Sequence, residues 1–340
     1  VITDEELRKL LETNDKPIAY DGFEPSGTAH IPFGLLRAEN LKSMLKANVK
    51  FKLWLADYFA FINNKLGGDL GRIKKCGDYF IEVWKACGID TKKVEVIWAS
   101  ERMDSLKYWD RVLRIAKETT LNRSMRATTI MGRKEGELQS TAQLFYPSMQ
   151  VSDIFELDVD ICQLGYDQRR ANILGREVAD RLKWKKPVVV SHHMIMGLQG
   201  TQPGADKEEI IIASKMSKSK PETCIYMHDS EEDIKRKIVK AYCPEKIIEG
   251  NPIFDYLKFL VFRRFPEIKI ERPSKFGGDL NLGYDETVKI YSEGKLHPLD
   301  LKNATSSYMN TMVKPVREHF VKNKKARGLY EEIKQYSITR

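Results

Sequence analysis

Residues 146–170, YPSMQVSDIFELDVDICQLGYDQRR, carry the pattern that decides the fold. The first part predicts a helix that begins near Pro147, because proline in a first helical turn lacks only an N–H that would be unpaired anyway. Residues 157–164 are rich in Val, Ile and Leu and predict a buried strand. Gly165 ends this strand, and GYDQRR leads into another helix. Open α/β sheets bind ligands at the carboxyl ends of such strands.

Three polar residues of this helix recur at i, i+4 and i+7, so Tyr146, Gln150 and Asp153 share one face. A carboxylate accepts a hydrogen bond from a hydroxyl group, and amide and phenol oxygens accept bonds from an ammonium group. The triplet therefore suits the wall of a polar pocket. Taken alone, it is equally compatible with an exposed helix face.

The composition is that of a globular protein with about two domains: 340 residues, 42% hydrophobic and 31% charged. No apolar run approaches the ~18 residues of a membrane span, so we expect no membrane partner. Five scattered cysteines without a CxxC pair favour a reducing compartment, the cytoplasm, and argue against a zinc site. The net charge of +9 is a weak indication of a polyanionic partner.

Strand-like and helix-like segments alternate along the first two thirds of the chain. Strands are predicted at residues 16–21, 49–57, 94–99 and 187–191, with helices between them, which indicates an α/β fold with a Rossmann-like parallel sheet. We predict an N-terminal helix within residues 1–15, a catalytic domain over 16–220 and a helical domain over 221–340. Residues 103–143 form a helical insertion, and residues 198–220 form a loop rich in Gly, Gln and Lys.

Two further features suit a nucleotide, although the chain has no Walker loop and no GxGxxG. His30 lies in the first strand-to-helix loop, where a helix N-terminus attracts phosphate. Residues 215–219 read KMSKS, and lysines on such a loop can stabilise charge on a leaving pyrophosphate. A solvated lysine-rich turn is the alternative, although the specific string KMSKS makes it the weaker one.

With KMSKS and the His30 loop, the sequence resembles a class I aminoacyl-tRNA synthetase. Further stretches are similar to tyrosyl-tRNA synthetases of the archaeal and eukaryotic type. These are GFEPSG at 22–27, YPSMQVSDI at 146–154, AYCPEK at 241–246, KFGGDL at 275–280 and KLHPLDLKNA at 295–304. The resemblance covers almost the whole chain. It implies a tyrosine–tRNA ligase with an α-helical anticodon-binding domain at its C-terminal end.

The resemblance implies roles for individual residues in the binding of L-tyrosine. Tyr20 and Asp153 match the pair that contacts the phenol hydroxyl of the substrate. Tyr146, Gln150 and Gln168 match the residues that hold its amino group. Gly22 would let the backbone approach the ligand. A site that hydrogen-bonds a hydroxyl group rejects phenylalanine, because the polar atoms of the site would then stay unpaired. Tyrosyl-tRNA synthetase is the standard example of this selectivity.

For ATP, the resemblance implies binding by His30, Asp167 and the KMSKS residues Lys215, Met216, Ser217 and Lys218, with His30, Lys215 and Lys218 catalytic. The family motif His-x-Gly-His reads His30-Ile31-Pro32-Phe33 here, so proline replaces the glycine and phenylalanine the second histidine. This departure shifts phosphate stabilisation toward His30 and the lysines. Mg²⁺ is expected with ATP, and we expect no metal held by the protein itself.

For tRNA(Tyr), the resemblance implies that Arg126 and Arg169 recognise the acceptor stem. Phe276 and His297 would stack on the first anticodon base and Asp300 would hydrogen-bond it. Either arginine is also compatible with an ordinary surface role, and Phe276 and His297 with packing roles. Residues 103–143 correspond to the dimer interface of the family, so a homodimer is expected.

Two other functions remain open from the sequence. Tryptophan activation on the same scaffold is one, but an indole has no hydroxyl for Tyr20 and Asp153. A catalytically inactive tRNA-binding relative is the other, and the altered His-x-Gly-His motif is its only support.

Overall fold

The computed structural model of the protein describes residues 1–132, 138–200, 216 and 221–336. A parallel sheet of five strands runs in the order β3-β2-β1-β4-β5. The strands are β1 Ile18–Phe23, β2 Lys50–Leu55, β3 Val94–Trp98, β4 Ile161–Cys162 and β5 Val188–Val189. The predicted α/β fold with a parallel sheet is confirmed.

Helices cover this sheet and connect its strands. They are α1 Asp4–Thr13, α2 Arg37–Lys46, α3 Asp57–Ile62, α4 Leu70–Ala86, α5 Leu106–Lys117, α6 Leu121–Ala127, α7 Ala142–Glu156 and α8 Arg169–Leu182. A π-helical turn, Pro32–Leu36, leads into α2. A capping box starts α1, since Thr3 Oγ1 accepts from Glu6 N–H at 3.2 Å and the Glu6 carboxylate accepts from Thr3 N–H at 3.0 Å.

The strand order places a switch point at β1, where ligands bind in open α/β sheets. β1 pairs with β2 on one side, with Gly22 opposite Trp54, and with β4 on the other, with Tyr20 opposite Cys162. The chain therefore leaves neighbouring strands in opposite directions at the carboxyl ends of β1 and β4. The residues that follow these two strands face a common crevice.

The start of α7 corrects one prediction, because this helix begins at Ala142 and Pro147 lies inside it. The missing N–H of Pro147 leaves one helical carbonyl without its usual donor. Packing outweighs that loss, since residues 146–154 of α7 are all buried. The shared face of Tyr146, Gln150 and Asp153 is unaffected by the earlier start.

The predicted strand at residues 157–164 is also shorter than expected, with only Ile161–Cys162 paired in the sheet. The insertion contains α5 and α6, as predicted, within the described part of residues 103–143. Beyond residue 221 the chain is mainly helical. It contains α9 Glu231–Lys240, α10 Pro252–Tyr256, α11 Tyr284–Ser292, α12 Pro298–Lys322 and α13 Lys324–Ile333.

A two-stranded antiparallel hairpin, β6 Ile268–Ile270 with β7 Leu280–Leu282, interrupts this helical region and was not predicted. The short strands are flanked by the Gly277–Gly278 turn, where both glycines adopt positive φ. Among the described residues, no helix is both long enough and apolar enough to span a membrane. The proposed domain boundaries remain predictions.

Candidate active site

A cavity of about 210 Å³ opens at the carboxyl ends of β1 and β2, beside α7. All residues predicted to contact the amino acid line it: Tyr20, Gly22, Tyr146, Gln150, Asp153 and Gln168. These residues come from β1, α7 and the turn after β4. The spacing along α7 thus forms a pocket wall, and the alternative of an exposed helix face is excluded.

One end of the cavity presents a hydroxyl and a carboxyl group. The side chain of Tyr20 is buried, and in the part of the chain that the structure describes its Oη has no hydrogen-bond partner. Asp153 is also buried, and its Oδ1 accepts a hydrogen bond from Tyr108 Oη at 2.8 Å. Burial raises the pKa of Asp153 well above its usual range, and the bond from Tyr108 opposes that rise. A buried hydroxyl without a partner fits a ligand that supplies a polar atom.

Tyr108 is a site residue that sequence reasoning missed. It lies on α5, in the insertion that was assigned to dimerisation, and its Oη also lies 3.3 Å from Met149 O. It fixes one oxygen of Asp153 and leaves the other available to a ligand. Its position 45 residues before Asp153 gave no signal, because the contact exists only after α5 packs on α7.

The opposite end of the cavity presents acceptors for a cation. Gln150 Nε2 donates to Gln168 Oε1 at 3.1 Å, and Gln168 Nε2 donates to Ile130 O at 3.1 Å. Tyr146 Oη donates to Glu24 Oε1 at 2.6 Å. These bonds orient the amide and phenol oxygens before any ligand arrives.

Glu24 is the second site residue that the sequence analysis missed, although it belongs to the GFEPSG stretch. Asn63 Nδ2 donates to both of its carboxylate oxygens, at 3.2 and 3.1 Å, and Lys65 Nζ lies 3.9 Å from Oε2. A carboxylate next to the phenol of Tyr146 favours an ammonium group at this end of the cavity. In the sequence, its role was indicated by no more than a single acidic residue between Gly22 and Gly27.

Two aromatic residues, Trp54 and Phe59, belong both to the core and to the cavity wall. They are buried at 1% and 2% exposure, and both line the cavity. The Phe59 ring packs edge-on against Tyr146 with ring centroids 4.9 Å apart. The cavity wall between the two polar ends is therefore aromatic.

A second cavity of about 260 Å³ adjoins the first, and Phe23 and Glu24 line both. Three residues predicted for the nucleotide line it: His30, Asp167 and Met216. Met216 is buried, and its N–H donates to Ile195 O at 2.7 Å, so the second residue of KMSKS lies at this cavity. Lys215, Ser217 and Lys218 lie outside the described residues.

The altered His-x-Gly-His motif has a structural explanation. Pro32 occupies the first position of the π-helical turn, where a missing N–H costs nothing. Phe33 is buried in an aromatic cluster, with ring centroids 4.0 Å from Phe80 and 5.0 Å from Trp84. Phe33 therefore supplies an apolar wall where the family motif has a histidine, and it lines the second cavity together with Pro32 and His30.

A buried polar network supports the floor of the second cavity. The Arg37 guanidinium pairs with Asp21 and with Gln163, and Gln163 Nε2 lies 3.3 Å from His192 Nδ1. Burial raises the pKa of Asp21 to about 6 and lowers the pKa of His192 to about 3. His192 is therefore a neutral imidazole at physiological pH, so it contributes polar atoms to the cavity and no charge.

The comparisons with known proteins agree with this geometry. The family model of class I tRNA synthetases (W and Y) matches residues 12–314. Tyrosine–tRNA ligase of Sulfolobus acidocaldarius is 43% identical over the whole chain, which spans 96% of that protein. This chain belongs to the class I tyrosyl-tRNA synthetases.

Other tyrosyl-tRNA synthetases add detail. The cytoplasmic tyrosine–tRNA ligase 2 of Arabidopsis thaliana is 45% identical over the whole chain, which spans only 44% of that longer protein. The crystal structure of the Pyrococcus horikoshii enzyme complexed with L-tyrosine is 40% identical, with a TM-score of 0.90 over 97% of this chain and 95% of that one. The likeness thus extends over both the sheet and the C-terminal helices.

The predicted tRNA-binding residues of this synthetase lie in two places outside the cavities. Arg126 is exposed at the end of α6, and Arg169 is partly exposed at the start of α8, with its guanidinium 5.6 Å from the Tyr166 ring centroid. Among the described residues, no contact links the side chains of Arg126 and Arg169.

The other three lie near the start of α12. Phe276 is 60% exposed in the β6–β7 hairpin, His297 caps α12 through its Nδ1, which accepts from Leu299 N–H at 3.1 Å, and Asp300 lies in the first turn. Arg272 Nη1 donates to Lys295 O at 3.1 Å and thus joins the hairpin to the segment before His297.

Among residues 1–132, 138–200, 216 and 221–336, no group of three or more His, Cys, Asp or Glu could hold a metal ion.

Proposed function

We propose that this protein activates L-tyrosine with ATP to form tyrosyl-adenylate and pyrophosphate, and then transfers the tyrosyl group to the 3′ end of tRNA(Tyr). The observation that carries the proposal is the first cavity. It has the Tyr20 hydroxyl, without a partner among the described residues, and Asp153 at one end and Glu24 at the other. Tyrosine matches both ends of this cavity, because it has a phenol hydroxyl at one end of the molecule and an α-ammonium group at the other.

The proposed mechanism relies on positioning and electrostatics, without a covalent enzyme intermediate. The carboxylate of tyrosine attacks the α-phosphate of ATP, and pyrophosphate leaves. His30 and Asp167 line the adjacent cavity, where His30 would contact phosphate and Asp167 the ribose. Lys215 and Lys218 would stabilise the charge that develops on pyrophosphate, and Mg²⁺ would enter with ATP.

Tyrosine fits this cavity better than tryptophan does. Tyr20 Oη and an Asp153 oxygen offer two polar atoms to one ligand group, whereas an indole supplies a single N–H. The inactive tRNA-binding alternative rested on Pro32 and Phe33. Both are accommodated by local packing, and His30 still lines the cavity.

A homodimer is part of the proposal. Helix α5 turns Tyr108 inward, while Leu106, Trp109 and Leu113 are 86%, 38% and 60% exposed on its other face. Apolar residues at i, i+3 and i+7 on an uncovered helix face are typical of an interface between subunits. We expect a dimer mass by sedimentation at micromolar concentration, and a monomer mass would contradict this part of the proposal.

For tRNA(Tyr), Arg126 and Arg169 would bind the acceptor stem, and Phe276, His297 and Asp300 would read the anticodon. The exposed ring of Phe276 is available for stacking on an unpaired base, which is how proteins usually read single-stranded RNA. The names of the Arabidopsis relatives support a cytoplasmic location.

ATP–pyrophosphate exchange with tyrosine, tryptophan and phenylalanine in separate reactions tests the activity. We expect exchange with tyrosine alone. Exchange with tryptophan would overturn the assignment of the substrate. No exchange with any amino acid, on a preparation that still binds tRNA, would favour the inactive relative.

A further inference from the structure

The backbone on both sides of His30 is held by the segment that follows the KMSKS region. Ile31 N–H donates to Ile225 O at 3.1 Å, and Met227 N–H donates to Ala29 O at 3.0 Å. These two bonds form a short antiparallel bridge that includes His30 and Tyr226. The loop of His30 is therefore fixed to residues 225–227 through backbone groups.

One backbone group of this loop is instead bound by a side chain from α4. Ala29 N–H donates to Tyr79 Oη at 3.0 Å, and both residues are completely buried. If this buried N–H had no hydrogen-bond partner, the folded state would be considerably less stable. The Tyr79 hydroxyl thus holds the amide of the residue directly before His30, while Met227 N–H holds its carbonyl group.

The Tyr79 hydroxyl is itself oriented by His228, whose Nε2 lies 2.9 Å from Tyr79 Oη. We assign His228 the neutral tautomer that is protonated at Nδ1, because Nε2 then accepts the proton that Tyr79 Oη, which accepts from Ala29, has left to donate. Burial lowers the pKa of His228 to about 3, so this nitrogen remains an acceptor at neutral pH. A directed chain runs from the Ala29 amide through Tyr79 to His228.

Aromatic rings from the two last helices hold the His228 imidazole in place. It stacks on Tyr330 of α13, with centroids 3.7 Å apart and planes at 16°, and Phe320 of α12 meets it edge-on at 4.6 Å. Two residues of the C-terminal helices therefore fix a ring that lies two hydrogen bonds from the His30 loop.

We propose that Tyr79 and His228 are positioning residues for His30, and that α12 and α13 determine the geometry of the nucleotide cavity through them. This inference rests on the proposed role of His30 in binding the phosphates of ATP. Packing alone would need only the rings of Tyr79 and His228. The positioning role needs the Tyr79 hydroxyl and an acceptor at Nε2.

The test uses Tyr79→Phe, which keeps the ring and removes the hydroxyl, in ATP–pyrophosphate exchange. We expect kcat to fall roughly 10-fold, or KM for ATP to rise by as much, less than the ~100-fold that a 1 Å misplacement can cost. KM for tyrosine should stay unchanged, because Tyr79 does not line the tyrosine cavity. His228→Gln, which keeps an acceptor near Nε2, should retain more activity than His228→Leu.

Two controls separate positioning from folding. Tyr256→Phe removes another buried hydroxyl, one without a partner in the described part of the chain, and should leave exchange unchanged. In a His30→Ala background, Tyr79→Phe should cost less than about 2-fold, since the residue that it positions is gone.

Equal effects of Tyr79→Phe with and without His30, or normal exchange in Tyr79→Phe, would overturn the positioning role. A change in melting temperature without a kinetic change would do the same. If the wild-type protein itself gave no exchange with tyrosine, the proposed function would fail instead, so the two failures are distinguishable.

Discussion

The tyrosine cavity and the start of α12 contrast in how they present polar groups. In the cavity, Asp153 and Tyr146 are buried and already hydrogen-bonded to Tyr108 and Glu24. At the start of α12, Phe276 and His297 are exposed, and their described ring contacts are local: Lys275 Nζ lies 4.9 Å from the Phe276 ring centroid, and the His297 ring accepts a bond within its own helix. A small ligand requires polar groups that are fixed in advance, whereas an RNA base brings its own large surface to an open site.

This contrast predicts that changes in the cavity affect every step, while changes at the start of α12 affect only the steps that use tRNA.

The largest effect is expected outside both regions, in the KMSKS segment. Lys215→Ala should lower kcat for tyrosyl-adenylate formation by about 10²–10³-fold, the range for loss of one group that stabilises transition-state charge. Rapid-quench kinetics and tyrosine binding should be measured together. Equal losses in both would argue against a transition-state role.

Asp153→Asn should have the next largest effect. It leaves one oxygen acceptor where Tyr108 and the proposed substrate hydroxyl both need one, and an unpaired buried polar group costs about 1–3 kcal/mol. We expect kcat/KM for tyrosine to fall about 10- to 100-fold in exchange and in charging alike. An effect on charging alone would break the contrast between the two regions.

Asp300→Ala provides the opposite case. It should lower kcat/KM for charging of tRNA(Tyr) roughly 10-fold, the value of a good base contact, and leave pyrophosphate exchange unchanged. If exchange fell by the same factor, Asp300 would be a residue needed for folding. Lys302→Ala is a suitable control. Lys302 lies two positions along the same helix, and its Nζ is bound within the protein, since it donates to Val239 O at 3.0 Å.

Tyr108→Phe should give the smallest effect of the four. It removes one neutral donor from Asp153, which corresponds to about 0.5–1.5 kcal/mol, or a 2- to 10-fold loss in kcat/KM for tyrosine. The ratio of tyrosine to phenylalanine activation should fall with it. An unchanged ratio would mean that Tyr108 packs against Asp153 without orienting it.

The sequence predicted the parts of this molecule that depend on local spacing. The shared face of Tyr146, Gln150 and Asp153 follows from helical periodicity alone, and it survives the wrong start of α7 because periodicity does not depend on where a helix begins. Buried apolar runs likewise predicted the strands of the sheet, although the run at residues 157–164 overstated β4.

The missed features are contacts between elements far apart in the chain. Tyr108 reaches Asp153 only through the packing of α5 on α7, and Glu24 acquires its environment from Tyr146 and Asn63. Phe33 could be noticed as a departure from the family motif, but its partners Phe80 and Trp84 lie on α4. Periodicity and motifs contain no distances between such elements.

Glu24 lines both cavities, and this has a consequence for the order in which the substrates bind. Before tyrosine binds, the Glu24 carboxylate faces the cavity proposed for a polyanionic triphosphate, and Lys65 Nζ, 3.9 Å from Glu24 Oε2, offsets part of the repulsion. The ammonium group of bound tyrosine would neutralise the rest. Tyrosine should therefore tighten ATP binding, and thermodynamic linkage requires ATP to tighten tyrosine binding by the same factor. The enzyme would then hold ATP firmly only when an acceptor for the adenylyl group is already in place.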